Sequence, residues 1–292
     1  MSDRSLRHGL EFHNVSSAWG HIPPYTPFLH LDALDTSDMY LDAGKTQQVQ
    51  GVSGEDVYHW GGFTYINSVK PEYSKPCTNY GKQLIPAAMT FDRLQGTIGM
   101  TSTLATPFSS TQFAMYIVMN PMSSGDAGDI IGATLASSDQ TTYQYANGFA
   151  CRFPDPAEIW LDYEVILQKN TGNTKGLSSN ATDPNLTALN HWHMYEMHWE
   201  TTGAVATGTY YMNGQDITED ETDAAVADMN WDTVYLGCAP SWASSSPAST
   251  YGSAHIAEVM IYDTTHSISQ RNTMREYLFN KWLPDQTYIT EQ

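Results

Sequence analysis

Residues 254–263 read A-H-I-A-E-V-M-I-Y-D, and residues 267–282 read S-I-S-Q-R-N-T-M-R-E-Y-L-F-N-K-W. In the first stretch Ile256, Val259, Ile261 and Tyr262 are β-branched or aromatic, and apolar residues fall on both parities. A strand apolar on both faces is covered on both faces, so a central strand is predicted here. In the second stretch Met274, Tyr277, Leu278 and Trp282 recur at i, i+3, i+4 and i+8, a helical period. Ser267 and Gln270 have the spacing of a capping box, and Pro284 stops the run. A buried strand therefore feeds one helix, expected over residues 268–281, that seals one end or edge of the fold.

Upstream, residues 57–66, 84–91, 111–120, 130–135, 149–153 and 233–237 read as strands. The run 111–120 is nearly all apolar and should be central. Residues 158–167 alternate: Ile159, Leu161, Tyr163, Val165 and Leu167 take one face, and Glu158, Trp160, Asp162 and Glu164 the other. Residues 191–201 alternate as well, with Tyr195, Met197 and Trp199 inward and Glu196, His198 and Glu200 outward. These two alternating strands are expected in one sheet. Residues 207–212 and 215–218, joined by Asn213-Gly214, form a hairpin with a type I′ signal. Segments 123–129, 168–190, 219–232 and 242–253 read as loops. No internal repeat or interdomain linker appears, so one domain, residues 28–292, follows an arm of residues 1–27.

Net charge is −19, from 32 acidic and 13 basic residues in 292, which speaks against nucleic acid and anionic membrane surfaces as partners. A hydrophobic content of 41% supports a sizeable core. The three cysteines, Cys77, Cys151 and Cys238, have neither zinc spacing nor the even count of a disulfide framework. No apolar run approaches the roughly 20 residues that span a bilayer, and the N-terminus lacks the apolar core of a signal peptide.

The two stretches quoted first resemble the C-terminal signature of concanavalin A-like lectin/glucanase domains, laminin-G-like jelly rolls of the kind found in phage and bacterial surface proteins. The matching residues are Ile256-Ala257-Glu258-Val259, Ile261-Tyr262, Tyr277-Leu278 and Lys281-Trp282. Leu31-Asp32-Ala33 matches the family's opening strand, followed in order by Trp60-Gly61, Thr90-Phe91-Asp92 and the apolar strand 113–119. The resemblance covers residues 28–283. It implies an all-β, antiparallel jelly-roll sandwich with one C-terminal helix, a fold that hosts lectins, hydrolases and structural modules alike.

Glucanases of that family carry acids at alternate positions of one strand. Here the related register is Trp160-x-Asp162-x-Glu164, with Trp160 where the first acid would stand. Glu158 and Glu164 would lie about 20 Å apart along a strand, too far for the roughly 5–5.5 Å of a retaining pair, so no catalytic residues are assigned. The same face suits a glycan groove: Trp160 as a stacking platform, with Asp162, Glu164, Glu196 and His198 as hydroxyl partners. His191 and His193 share a strand face but lack a third ligand, and no metal or cofactor is expected. Asp32, Asp35 and Asp38 read as a capped turn rather than a calcium loop; Asp126 and Asp129 are a second, weaker calcium spacing.

The arm is polar and unperiodic, with Pro23, Pro24 and Pro27 and the scattered aromatics Phe12, Trp19 and Tyr25. Either its own domain or a neighbouring subunit must hold it. The expectation is a non-enzymatic virion-surface protein, a capsid decoration or fibre subunit made in the host cytoplasm. Phe12, Trp19 and Tyr25 would anchor it to other capsid subunits or to sister copies in a homo-oligomer. A carbohydrate-binding module or adhesin, reaching host-surface glycans, is the alternative, and a β-glucan hydrolase the third.

Overall fold

The computed structural model describes residues 22–66, 69–79, 83–95, 98–122, 128–134, 149–153, 162–168, 174–180, 190–202, 205–218, 222–223, 229–239 and 250–292. Two antiparallel sheets and one long helix form a jelly-roll β-sandwich. At the middle of the first sheet, Gln112–Pro121 pairs with Ala254–Tyr262 on one side and His193–Thr202 on the other. Val205–Met212 and Gln215–Asp216 extend the His193–Thr202 side. On its other side Ala254–Tyr262 carries two partners end to end: Leu29–Asp32 on its second half and Ala88–Phe91 on its first. Glu72–Ser74 and Glu55–Asp56 complete that edge. The second sheet runs in the order Thr174–Asn180, Asp162–Gln168, Phe149–Phe153, Gly128–Thr134, Met229–Leu236, Met100–Ser110, Phe63–Tyr65, His59–Trp60, Met39–Tyr40.

The expected centre of the fold is present. Every residue of Ala254–Tyr262 except His255 is buried, as the two-sided apolar pattern requires. Phe113, Met115, Ile117 and Met119 point between the sheets, and Phe113 meets Phe108 of the second sheet edge to face at 6.3 Å. The helix spans Ile268–Trp282, with both halves of the Ser267/Gln270 capping box formed. Met274, Tyr277, Leu278 and Trp282 are all buried. The Asn213-Gly214 turn has φ of 52° and 80°, the left-handed pair that a type I′ hairpin demands. At Gly214 a Cβ would also run into the backbone of Ile289, so the C-terminal segment passes over this turn only because no side chain stands there.

Three expectations need correcting, and one strand has no counterpart among them. The strands at 162–168 and 193–202 belong to different sheets, because alternation specifies a face and not a partner. Within the expected loop 168–190, Thr174–Asn180 forms an edge strand against Asp162–Gln168; hydrogen bonding to a neighbour replaces the missing apolar period. Met100–Ser110 went unread. It is a long strand of the second sheet, polar and bulged between Thr103 and Phe108, which breaks its period. The helix does not seal an end or edge. It lies on the outer face of the first sheet, touching the parity of side chains turned away from the second sheet.

Candidate functional site

The helix tracks the outer face row by row, because adjacent antiparallel strands place paired residues side by side. The first row holds His198, Ala114 and Tyr262, and the loop before the helix brings His266 to it. The second holds Glu196, Tyr116 and Met260, and Arg275 reaches Glu196 at 2.7 Å. The third holds Met194, Val118 and Glu258, where Lys281 and Trp282 both bond Glu258. The fourth holds Asn120 and His255, with the ring of Trp192, the residue before its strand, 6.2 Å from that of His255. Here the helix has ended, and Gln286 from the following segment donates to the carbonyl of Trp192 at 3.2 Å.

The second and third rows are closed charge networks. Lys281 Nζ lies 2.7 Å from Asp32 Oδ2, 2.9 Å from Glu258 Oε2 and 3.1 Å from the Tyr277 hydroxyl. His30 Nε2 lies 2.7 Å from Glu258 Oε1. The three pieces of the sequence signature, Leu31-Asp32-Ala33, Ile256–Val259 and Tyr277–Trp282, thus meet around one buried ammonium. His30, Asp32 and Glu258 have metal-ligand geometry, but the Lys281 ammonium supplies the positive charge there. Burial pushes the Glu258 carboxyl up; the His30 hydrogen bond and the Lys281 charge outweigh it and hold the group below its ordinary value. Glu196 follows the same logic, with His198 and Arg275 overcoming burial. Glu291, near the C-terminus, closes this second network by pairing with Arg271 and Arg275.

Glu196 is taken up in the charge network, while His198 lines a small cleft of about 230 Å³ with Thr209, His266 and Arg271. Glu196 and His198 are 2% and 4% exposed, bonded to each other at 2.7 Å, and covered by the helix. Sequence alternation correctly separated them from the core face but could not show that the helix would cover the other one. Asp162 and Glu164 are on a strand of the second sheet, so the structure does not bring them together with Glu196 and His198; their side chains fall outside the description. Trp160 lies outside the described residues, as do Glu158, Phe12, Trp19 and Asp126. Tyr25 sits against its own sandwich: its ring is 5.2 Å from that of His266, and the Tyr262 hydroxyl donates to its carbonyl at 3.5 Å. Asp32 and Asp35 accept from the backbone at Leu34 and Ser37, the capped turns expected of them. His193 bonds Asn213 and leaves His191 exposed beside it.

The fourth row opens into a cleft of about 460 Å³, within the usual range of small-ligand sites. Ile85, Pro86 and Ala88 form its apolar wall. Its polar groups are Ser74, Asn120, Asn190, His191, His255 and Gln286, beside the indole of Trp192. No Asp, Glu, Lys or Arg lines it among the described residues. Asn120 Oδ1 is buried, with no hydrogen-bond partner among the described residues. His255 Nδ1 is 2.8 Å from Thr90 Oγ1, which is 3.3 Å from Ser74 Oγ. Burial holds the His255 imidazole below its ordinary pKa, against the opposing charge of Asp92. Asn120, Gln286 and His255 come from three distant stretches. The one sequence signal was a polar residue ending the apolar 111–119 run.

No protein-family model matches this sequence, and no curated protein matches it. Among solved structures the chain is similar to the botulinum neurotoxin serotype D binding domain, at 11% identity and TM-score 0.49 over 86% of this chain and 51% of that one. It is similar to a SAP-like pentraxin from Limulus polyphemus, at 15% identity and TM-score 0.44 over 69% and 79%. It is also similar to a Ruminococcus gnavus sialidase CBM40 bound to α2,3-sialyllactose, at 11% identity and TM-score 0.42 over 58% and 83%. The chain spans about half the length of the botulinum binding domains it matches. Nothing about ligands passes from these proteins to this chain.

Proposed function

We propose that this protein is a non-enzymatic carbohydrate-binding module on a concanavalin A-like sandwich, and that its ligand site is the cleft beyond the end of the helix. One observation carries this reading. In a chain of net charge −19, the cleft is lined by amides, a hydroxyl, imidazoles and an indole, with a buried acceptor at Asn120 that has no partner among the described residues. Such a lining suits a polyhydroxylated, uncharged ligand, whose hydroxyls both donate and accept. A virion setting, with residues 1–27 as an attachment segment, draws no support from Tyr25, which lies on its own domain. Screening the intact protein on arrayed glycans, then following the Trp192 indole signal by solution NMR, tests the reading. Binding that shifts Trp192 is the expected result. Absence of any glycan hit, or hits that leave Trp192 unmoved, overturns it.

A further inference from the structure

Resting on the carbohydrate-binding reading, we propose that Asn120 and His255 act together as an acceptor–donor pair that selects an uncharged sugar through neighbouring hydroxyls. The two residues are direct cross-strand partners, so their side chains stand side by side on one face, with Cβ atoms about 4.5–5.5 Å apart. That spacing brings an amide oxygen and an imidazole nitrogen to adjacent positions on one ligand. Asn120 lines the cleft and its Oδ1 is buried without a partner among the described residues, so a turn of the amide presents that oxygen to the ligand as the acceptor at no loss of a bond to them. A buried acceptor left unsatisfied costs on the order of 1–3 kcal/mol, which a donor hydroxyl from a ligand recovers.

His255 supplies the donor. A neutral imidazole has one N–H and one bare nitrogen. Nδ1 faces the Thr90 hydroxyl at 2.8 Å, and Thr90 in turn has the Ser74 hydroxyl at 3.3 Å. The two contacts fit either direction; we assign Thr90 as the donor to Nδ1, which leaves the ring proton on Nε2. Nε2 has no partner among the described residues. The Ser74–Thr90 relay is thus a positioning device: it holds the ring plane from behind.

The pair then reads a sugar in one motif. One hydroxyl accepts from Nε2–H and the same or the adjoining hydroxyl donates to Oδ1. A carboxylated sugar finds no Lys or Arg among the described residues of this lining, and it must approach against the field of a strongly acidic chain. Both counts disfavour sialylated and uronic-acid ligands relative to neutral ones.

The test uses the intact protein on an array printed with neutral oligosaccharides beside their sialylated and glucuronidated counterparts. Hits are expected on neutral members only. For the strongest neutral hit, Asn120→Ala and His255→Phe should each weaken binding at least tenfold, with the thermal midpoint checked for each variant. Thr90→Val should weaken it by less, because it disturbs the ring only from behind. Equal binding of acidic counterparts overturns the selection against charge. Neutral hits unaffected by Asn120→Ala and by His255→Phe overturn the pair while leaving carbohydrate binding intact. An array with no hits removes both readings together.

Discussion

Three rows of the first sheet's outer face are met by the helix and the loop that precedes it; the fourth lies beyond the helix, and polar groups fare differently there. Where the helix lies, the strands offer Glu196, His198 and Glu258, and the helix answers with Arg275, Lys281 and the Trp282 indole. Beyond it, the strands offer Asn120 and His255, and no charged side chain lines the space among the described residues. The covered rows use charge to fix one helix in one register. The uncovered row keeps neutral groups with hydrogen-bonding capacity to spare. Charge pairing and an open, neutral cleft are thus separated along a single face, within the length of one strand.

Two substitutions should show the largest effects and break the covered rows. Lys281→Met leaves the Asp32 and Glu258 carboxylates buried without their cation and should cost about 3–5 kcal/mol in denaturant unfolding. Trp282→Ala should cost a similar 3–5 kcal/mol or so, since the ring is 1% exposed and its removal leaves a cavity. An unchanged midpoint in either variant would mean that the helix is a peripheral attachment.

The covered rows should also make the fold acid-sensitive. Glu196 and Glu258 are held below their ordinary value, and His266 is held down to about 4 by burial and by the His198 charge. Depressed folded-state values favour the deprotonated forms. Their stabilisation is complete above the unfolded values, about 6.5 for His and about 4.3 for Glu, and is lost as pH falls through the folded ones. The thermal midpoint should therefore drop steadily from about pH 6.5 downward, and His266→Asn should flatten the upper part of that drop. A midpoint constant between about pH 7 and pH 4 would contradict the network.

Smaller effects sharpen the contrast. Ser267→Ala removes one half of the capping box and should cost about 1 kcal/mol, read as a modest shift in denaturation midpoint. Asn120→Ala, in the uncovered row, should change stability by no more than about 0.5 kcal/mol, because it deletes an acceptor that makes no bond to the described residues. A large loss there would show that Asn120 serves the fold and not a ligand.

Much of the architecture was legible where a residue's fate depends on its neighbours in the chain. The helix limits follow from Ser267, Gln270 and Pro284, and the hairpin from Asn213-Gly214, because caps and turns are satisfied within a few residues. The burial of Ala254–Tyr262 follows from apolar residues on both parities. Met100–Ser110 was not legible, because a bulge between Thr103 and Phe108 destroys the period that marks a strand. The candidate site was the least legible part. Glu196 and His198 alternate as solvent-facing residues do, yet an element more than 60 residues later covers them.

The sequence by itself determined an all-β chain with a two-sided central strand, a capped closing helix, a type I′ hairpin and a strongly acidic balance. Each rests on local period, local turn chemistry or composition. Only the tertiary structure decided which strands share a sheet, which face the helix covers and where that cover stops. Those outcomes depend on pairings such as Lys281 with Asp32, 249 residues apart, and Asn120 with His255 across adjacent strands. Alternation tells a side chain which face to take, but the desolvation and hydrogen bonding that make that face a core, a charge network or a cleft come from residues brought there by the fold.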